Sequence, residues 1–122
     1  MIPGLEAFLA GLRFHARRHR LTVRHDEAAL SEVLAFASRL ATTERDEPAA
    51  LFFACARRSR AFAGTAGKVV PFVVRSHAAS LGLELTIDDL ELEILRARVL
   101  LEAIDFEEIR AQTQSMHLVE HW

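Results

Sequence analysis

Residues 60–68, RAFAGTAGK, join two apolar segments of helical character. Their types and order suit an anion. Gly64, Thr65 and Gly67 can let successive backbone N–H groups converge, while Lys68 and the start of a following helix add positive charge. Arg60 adds a second cation. The ligand such a loop would take is a phosphate or a nucleotide. The plainer alternative is a helix–helix connection that uses glycine for its backbone angles, and the residues by themselves weigh more for that. The segment is not a P-loop, because Gly67-Lys68 is followed by Val69 rather than Ser or Thr and the preceding segment is helical.

A second basic group lies upstream. Residues 13–25, RFHARRHRLTVRH, hold five Arg, three His and no acid. Arg13, Arg17 and Arg20 are the candidate partner-binding residues. An acidic protein surface, or the acidic half of a second copy of the chain, is their expected partner. Nucleic acid is disfavoured, since no recognised DNA-binding motif appears, the chain as a whole is slightly acidic, and tyrosine is absent. His15 and His19 stand at i, i+4 on one helix. No third ligand is evident and the flanking arginines repel a cation, so a surface helix is the preferred reading and no metal site is assigned. Cys55, the single cysteine, falls on an apolar face beside Phe52 and reads as a core residue rather than a nucleophile. No catalytic residue is assigned. Trp122, with His117 and His121, is read as a mobile end or, if ordered, a partner anchor.

Bulk properties bound what these groups serve. With 122 residues and 51% hydrophobic content, the chain is the size of one domain and can bury a core without disulfides or metal. One cysteine permits no internal disulfide and fits a reducing compartment. The N-terminal segment lacks the basic start and cleavage-type end of a signal peptide. No stretch reaches the roughly 18 apolar residues of a membrane span. A soluble cytoplasmic protein, with no membrane partner, is expected. Net charge is −2 but uneven: residues 1–82 carry 12 Arg/Lys against 7 Asp/Glu, and residues 83–122 carry 3 against 10. A basic end and an acidic end follow, which are either solvated faces or docking faces.

The elements that must position these groups are helical, as the wealth of Ala, Leu, Arg and Glu implies. A first helix is expected from Pro3 to His19, burying Leu5, Phe8, Leu9 and Leu12. A second, capped by Asp26, runs from Glu27 to Ala41 and buries Leu30, Val33, Leu34 and Ala37. Asp46-Glu47-Pro48 opens a third, with Leu51, Phe52, Cys55 and Phe62 inward. The fourth follows the glycine loop and ends near Leu81, with Gly82 in left-handed conformation. Pro71 must lie in its first turn, which places its start at Lys68 to Val70. Leu83-Glu84-Leu85 reads as a short extended piece. A fifth helix to Ala103 buries Leu90, Ile94, Ala97 and Leu101, with Leu95 and Val99 adjacent. A sixth starts at Phe106 behind the capping-box spacing of Asp105 and Glu108. The tail SMHLVEHW has no clear period. The expected fold class is all-α, one compact domain over residues 1–122 with about six helices.

This order of elements resembles the Fic/Doc fold. It is more closely similar to the death-on-curing branch, the small toxins of toxin–antitoxin pairs. The resemblance covers about residues 46–112, including SLGLELTIDDLELEILRARVLLEAIDFEEIRAQ. The family signature is His-x-Phe-x-acid-Gly/Ala-Asn-Lys/Gly-Arg. Aligned on Phe62, the catalytic His position is Arg60, the metal-binding acid position is Gly64, the next small residue is Thr65, the Asn is Ala66, and the last Arg is Lys68; Gly67 matches one family variant. The resemblance implies transfer of phosphate or AMP from a nucleotide to a protein hydroxyl. Arg60 cannot accept a proton, and Gly64 cannot hold Mg²⁺. The expectation is therefore a diverged, catalytically impaired Doc-like protein that at most binds nucleotide or phosphate at residues 60–68, with no certain cofactor and an antitoxin-like or acidic protein partner. The alternative is a non-enzymatic helical interaction or regulatory protein that works through its basic N-terminal face.

Overall fold

A computed structural model describes residues 1–19, 27–58, 66–112 and 118–120. Six helices follow in order: α1 Leu5–His19, α2 Glu27–Leu40, α3 Glu47–Arg57, α4 Ala66–Ser80, α5 Asp89–Leu100 and α6 Phe106–Gln112. A 3₁₀ turn, Glu44–Asp46, leads into α3. Two short strands, β1 Leu83–Leu85 and β2 Leu118–Glu120, pair antiparallel with Glu84 opposite Val119. The class is all-α, as expected. Among the described residues no helix is long and apolar enough to cross a membrane.

The architecture turns on α3. Its sequence EPAALFFACAR is apolar all round, and every residue from Glu47 to Ala56 is buried. A helix without a polar face has no side to give to water, so the others pack around it. Leu51, Phe52 and Cys55 are inward as read from the sequence, but so are Phe53 and four alanines. Small alanines let neighbouring helices approach closely, and Phe53 fills the space toward α2 and α6. Its ring lies 6.3 Å from that of Phe36 and 5.8 Å from that of Phe106.

The expected faces of the first two helices hold. Phe8, Leu9 and Leu12 of α1 are buried with Leu5 half-buried, and Leu30, Val33, Leu34 and Ala37 of α2 are all buried. The proposed Asp26 cap and the inward Phe62 lie outside the described residues.

Two expectations need correction. The fourth helix begins at Ala66, not between Lys68 and Val70, so Pro71 sits inside it. Proline there removes one N–H donor, that to the Gly67 carbonyl, and crowds the preceding turn. Burial on both sides of it, through Val69, Val70, Val73 and Val74, outweighs that local cost. At the other end Gly82 has φ 73°, the left-handed value expected of it.

The larger correction concerns α5. The stripe Leu90, Ile94, Ala97 and Leu101 is exposed, and the core takes Leu92, Leu95 and Val99 instead. Apolar residues surround this helix, so periodicity alone does not choose a face. The choice comes from the segment before it. The Arg75 guanidinium on α4 donates to the carbonyls of Leu85 (2.7 Å) and Ile87 (2.6 Å) and to Asp89 Oδ1 (2.8 Å). With Leu85 and Ile87 also buried, the rotation of α5 about its axis is set before its first turn. Asp88 caps it, accepting from Glu91 N at 2.8 Å. It stops at Leu100 rather than Ala103 because Glu102 turns left-handed (φ 59°). Ala103 N then donates to Arg98 O and Glu102 N to Val99 O, the paired bonds of a Schellman ending. Asp105 caps α6 through Glu108 N at 2.9 Å, as its spacing predicts.

Candidate functional site

The glycine loop falls mostly outside the described residues: Arg60, Gly64 and Thr65 lie there. Gly67 and Lys68 are in the first turn of α4. Their backbone is helical, and the earlier start of α4 brings both into the helix rather than leaving them in the turn before it.

The basic end of α1 is described as far as His19. Arg13, Arg17 and Arg18 are exposed, and Phe14 between them is 54% exposed. These positions, i, i+1, i+4 and i+5, form one continuous patch over the last turns of the helix. Arg20 lies outside the described residues. Among the described residues, Arg13, Arg17 and Arg18 form no ion pair. Cationic side chains at a helix C-terminus also complement the helix dipole.

His15, read as part of a surface pair with His19, is instead buried and stacks on Phe72 with ring centroids 3.9 Å apart. An imidazole is flat and largely apolar across its faces, and here that surface serves α1–α4 packing. Among the described residues no group of three or more His, Cys, Asp or Glu is placed to hold a metal ion.

The buried ionisable pair is Glu47 with His77, which sequence reading did not connect. His77 on α4 donates from Nε2 to Glu47 Oε1 at 2.8 Å, with both side chains under a tenth exposed. The Met1 amino group lies 2.9 Å from the same oxygen. His77 borders a cleft of about 190 Å³ between α1 and α4, lined by Phe8, Leu12, Leu51, Phe72 and Ser76 among others. A histidine whose ring is fixed by a buried carboxylate is the arrangement general bases use. Here the same bond clips α4 to the first turn of α3. Ser80 Oγ donates to the His77 backbone carbonyl at 2.6 Å, so that hydroxyl is engaged locally. Glu47 stands 30 residues from His77 and reads in sequence as a helix-start acid. No local pattern links the two.

Cys55 is fully buried, and burial pushes its thiol up to about 12. It stays protonated at neutral pH, the core residue expected rather than a nucleophile. On α5, the side-chain hydrogen bond from Arg96 holds the Glu93 carboxyl below the usual carboxylate range.

No protein-family model, curated protein or solved structure matches this chain.

Proposed function

We propose that the chain is a binding protein that takes an acidic protein partner on the C-terminal half of α1. The observation that carries this reading is the patch of Arg13, Arg17 and Arg18 around exposed Phe14, with none of the three arginines in an ion pair among the described residues. Arginine and aromatic side chains, phenylalanine included, are enriched in protein interfaces, and exposed cations speed encounter with an acidic surface. Arg20 extends the basic run in sequence. A photo-crosslinking residue at Phe14, introduced in cells, is expected to capture a protein with an acidic surface. Arg13→Glu with Arg17→Glu is expected to weaken that association by about tenfold or more, equivalent to roughly 1.4 kcal/mol. Capture unaffected by reversing both charges would remove this reading.

The order of elements favours a second reading: α3, α4 with Gly82 just past its end, β1, then α5 and α6 behind Asp88 and Asp105. It is the order on which the Fic/Doc resemblance is drawn. In this reading the chain is a diverged Doc-like protein of a toxin–antitoxin module, and its partner is antitoxin-like. Residues Arg60, Gly64, Thr65, Gly67 and Lys68 hold a nucleotide or phosphate without transferring it, because the base and metal-acid positions are Arg60 and Gly64. Thermal unfolding with ATP, ADP, AMP or phosphate, each with and without Mg²⁺, tests it. A ligand at about 100 times its Kd adds roughly 2.7 kcal/mol, and that gain should vanish in Lys68→Ala. No shift with any of the four would exclude the loop as an anion site.

A further inference from the structure

We infer that α5 is a self-association surface on which two copies of this chain pair antiparallel about a two-fold axis. The stripe Leu90, Ile94, Ala97 and Leu101 is spaced four, three and four residues, which reads the same in both directions. Leu90 is 73%, Ile94 52% and Leu101 78% exposed, so a row of large apolar side chains faces outward along the whole helix. Scattered exposed leucines are ordinary, but an ordered stripe is not.

The palindromic spacing decides the occupant. With a second α5 laid antiparallel, Leu90 meets Leu101 of the other copy and Ile94 meets Ala97. A large side chain then faces a small one in the two central layers, twice by symmetry, as an isologous contact requires. Spacings alternating three and four are those of a coiled-coil seam.

Charge agrees with this register. Glu91 and Arg98 flank the stripe on the same side, seven residues apart. In the antiparallel pair Glu91 of each copy stands beside Arg98 of the other, giving two opposite-charge contacts. Neither side chain forms an ion pair within the described residues. On the other flank Glu93 is already held by Arg96, in a two-point ion pair within the same helix. A parallel pair would put Glu93, not Glu91, beside Arg98. Antiparallel packing also sets the two helix dipoles head to tail. One helix face buries less than the about 800 Å² per partner of a standard interface, so the dimer is expected to be weak, in the micromolar range.

Sedimentation velocity across a concentration series tests this on the full chain. The expected result is a reversible monomer–dimer equilibrium. Ile94→Arg should raise the Kd by about tenfold or more without changing the circular dichroism or the melting temperature, since Ile94 is half exposed. Glu91→Arg and Arg98→Glu should each weaken the dimer, and the two together should restore it. A chain that stays monomeric up to about 200 µM, well above the expected micromolar range, would overturn the inference and assign the stripe to a different protein. A dimer that survives Ile94→Arg would place the interface elsewhere. A double charge exchange that fails to restore association would exclude the antiparallel register.

Discussion

Phe53→Ala is expected to destabilise the fold by about 4 kcal/mol, the largest effect of any single truncation considered. Phe53 is 6% exposed and belongs to the helix around which the others pack. Its ring meets Phe36 from α2 and Phe106 from α6, and the Arg57 guanidinium lies over it at 5.8 Å. Removing the ring takes away apolar burial, leaves a cavity at the meeting of three helices, and breaks two aromatic pairs that add about 0.5–1.5 kcal/mol each beyond their area. Domains of this kind unfold at a cost of about 5–15 kcal/mol, so the loss consumes a large part of the total. A melting point lower by roughly 15 °C is the expected reading. Phe14→Ala is the control: its ring stands half in water, and its substitution should change stability by less than about 0.5 kcal/mol. If the two variants melt alike, α3 is not the centre of the core.

The second large effect belongs to His77. His77→Leu leaves the Glu47 carboxylate buried without its ring donor, at a cost of about 3 kcal/mol. Most of that cost lies in leaving a buried carboxylate with the exposed Met1 amino group as its remaining ion-pair partner among the described residues, rather than in the bond itself. Replacing both partners by apolar residues of similar size, Glu47→Met with His77→Leu, should therefore recover much of the loss. The double-mutant cycle is expected to show a coupling of about 2 kcal/mol. Chemical denaturation of the four proteins measures it. Additive single effects would mean that the contact between α3 and α4 owes little to this pair. The result also bears on the cleft beside His77. A ring held chiefly as a structural clip tolerates the double apolar exchange, whereas a general base does not.

The local signals in this sequence translated well into local structure. Asp105 precedes its helix at capping distance and does cap it. Gly82 ends α4 in the conformation only glycine adopts easily. The faces of α1 and α2 follow from their spacing because each carries one apolar stripe and one polar side. The tail was opaque: residues 118–120 gain their strand by pairing with β1, more than 30 residues upstream, and three residues carry no period of their own.

Candidate site residues divide in the same way. The exposed arginines of α1 were legible as a run of one charge, and their exposure follows because three adjacent cations cannot enter a core unpaired. His15 belongs to that run and yet is buried, because a helix sends successive residues to different sides and Phe72 awaits on the inner one. The bond between Glu47 and His77 was invisible, since either residue alone is an ordinary feature of a helix.

What the sequence determined by itself was therefore the succession of helices, the Asp105 cap of α6 and the Gly82 stop of α4, and the inward side wherever one side was polar. Such features depend on residues within about four positions of one another, and backbone geometry reads them directly. Tertiary structure alone decided that α3 is enclosed on every side, that α4 continues through Pro71, and that α5 turns Leu92, Leu95 and Val99 inward while presenting Leu90, Ile94 and Leu101. In each of these places the local preference is divided or even opposed to the outcome. The deciding energy comes from burial against residues distant in the chain and from the Arg75 bonds that hold residues 85–89 to α4.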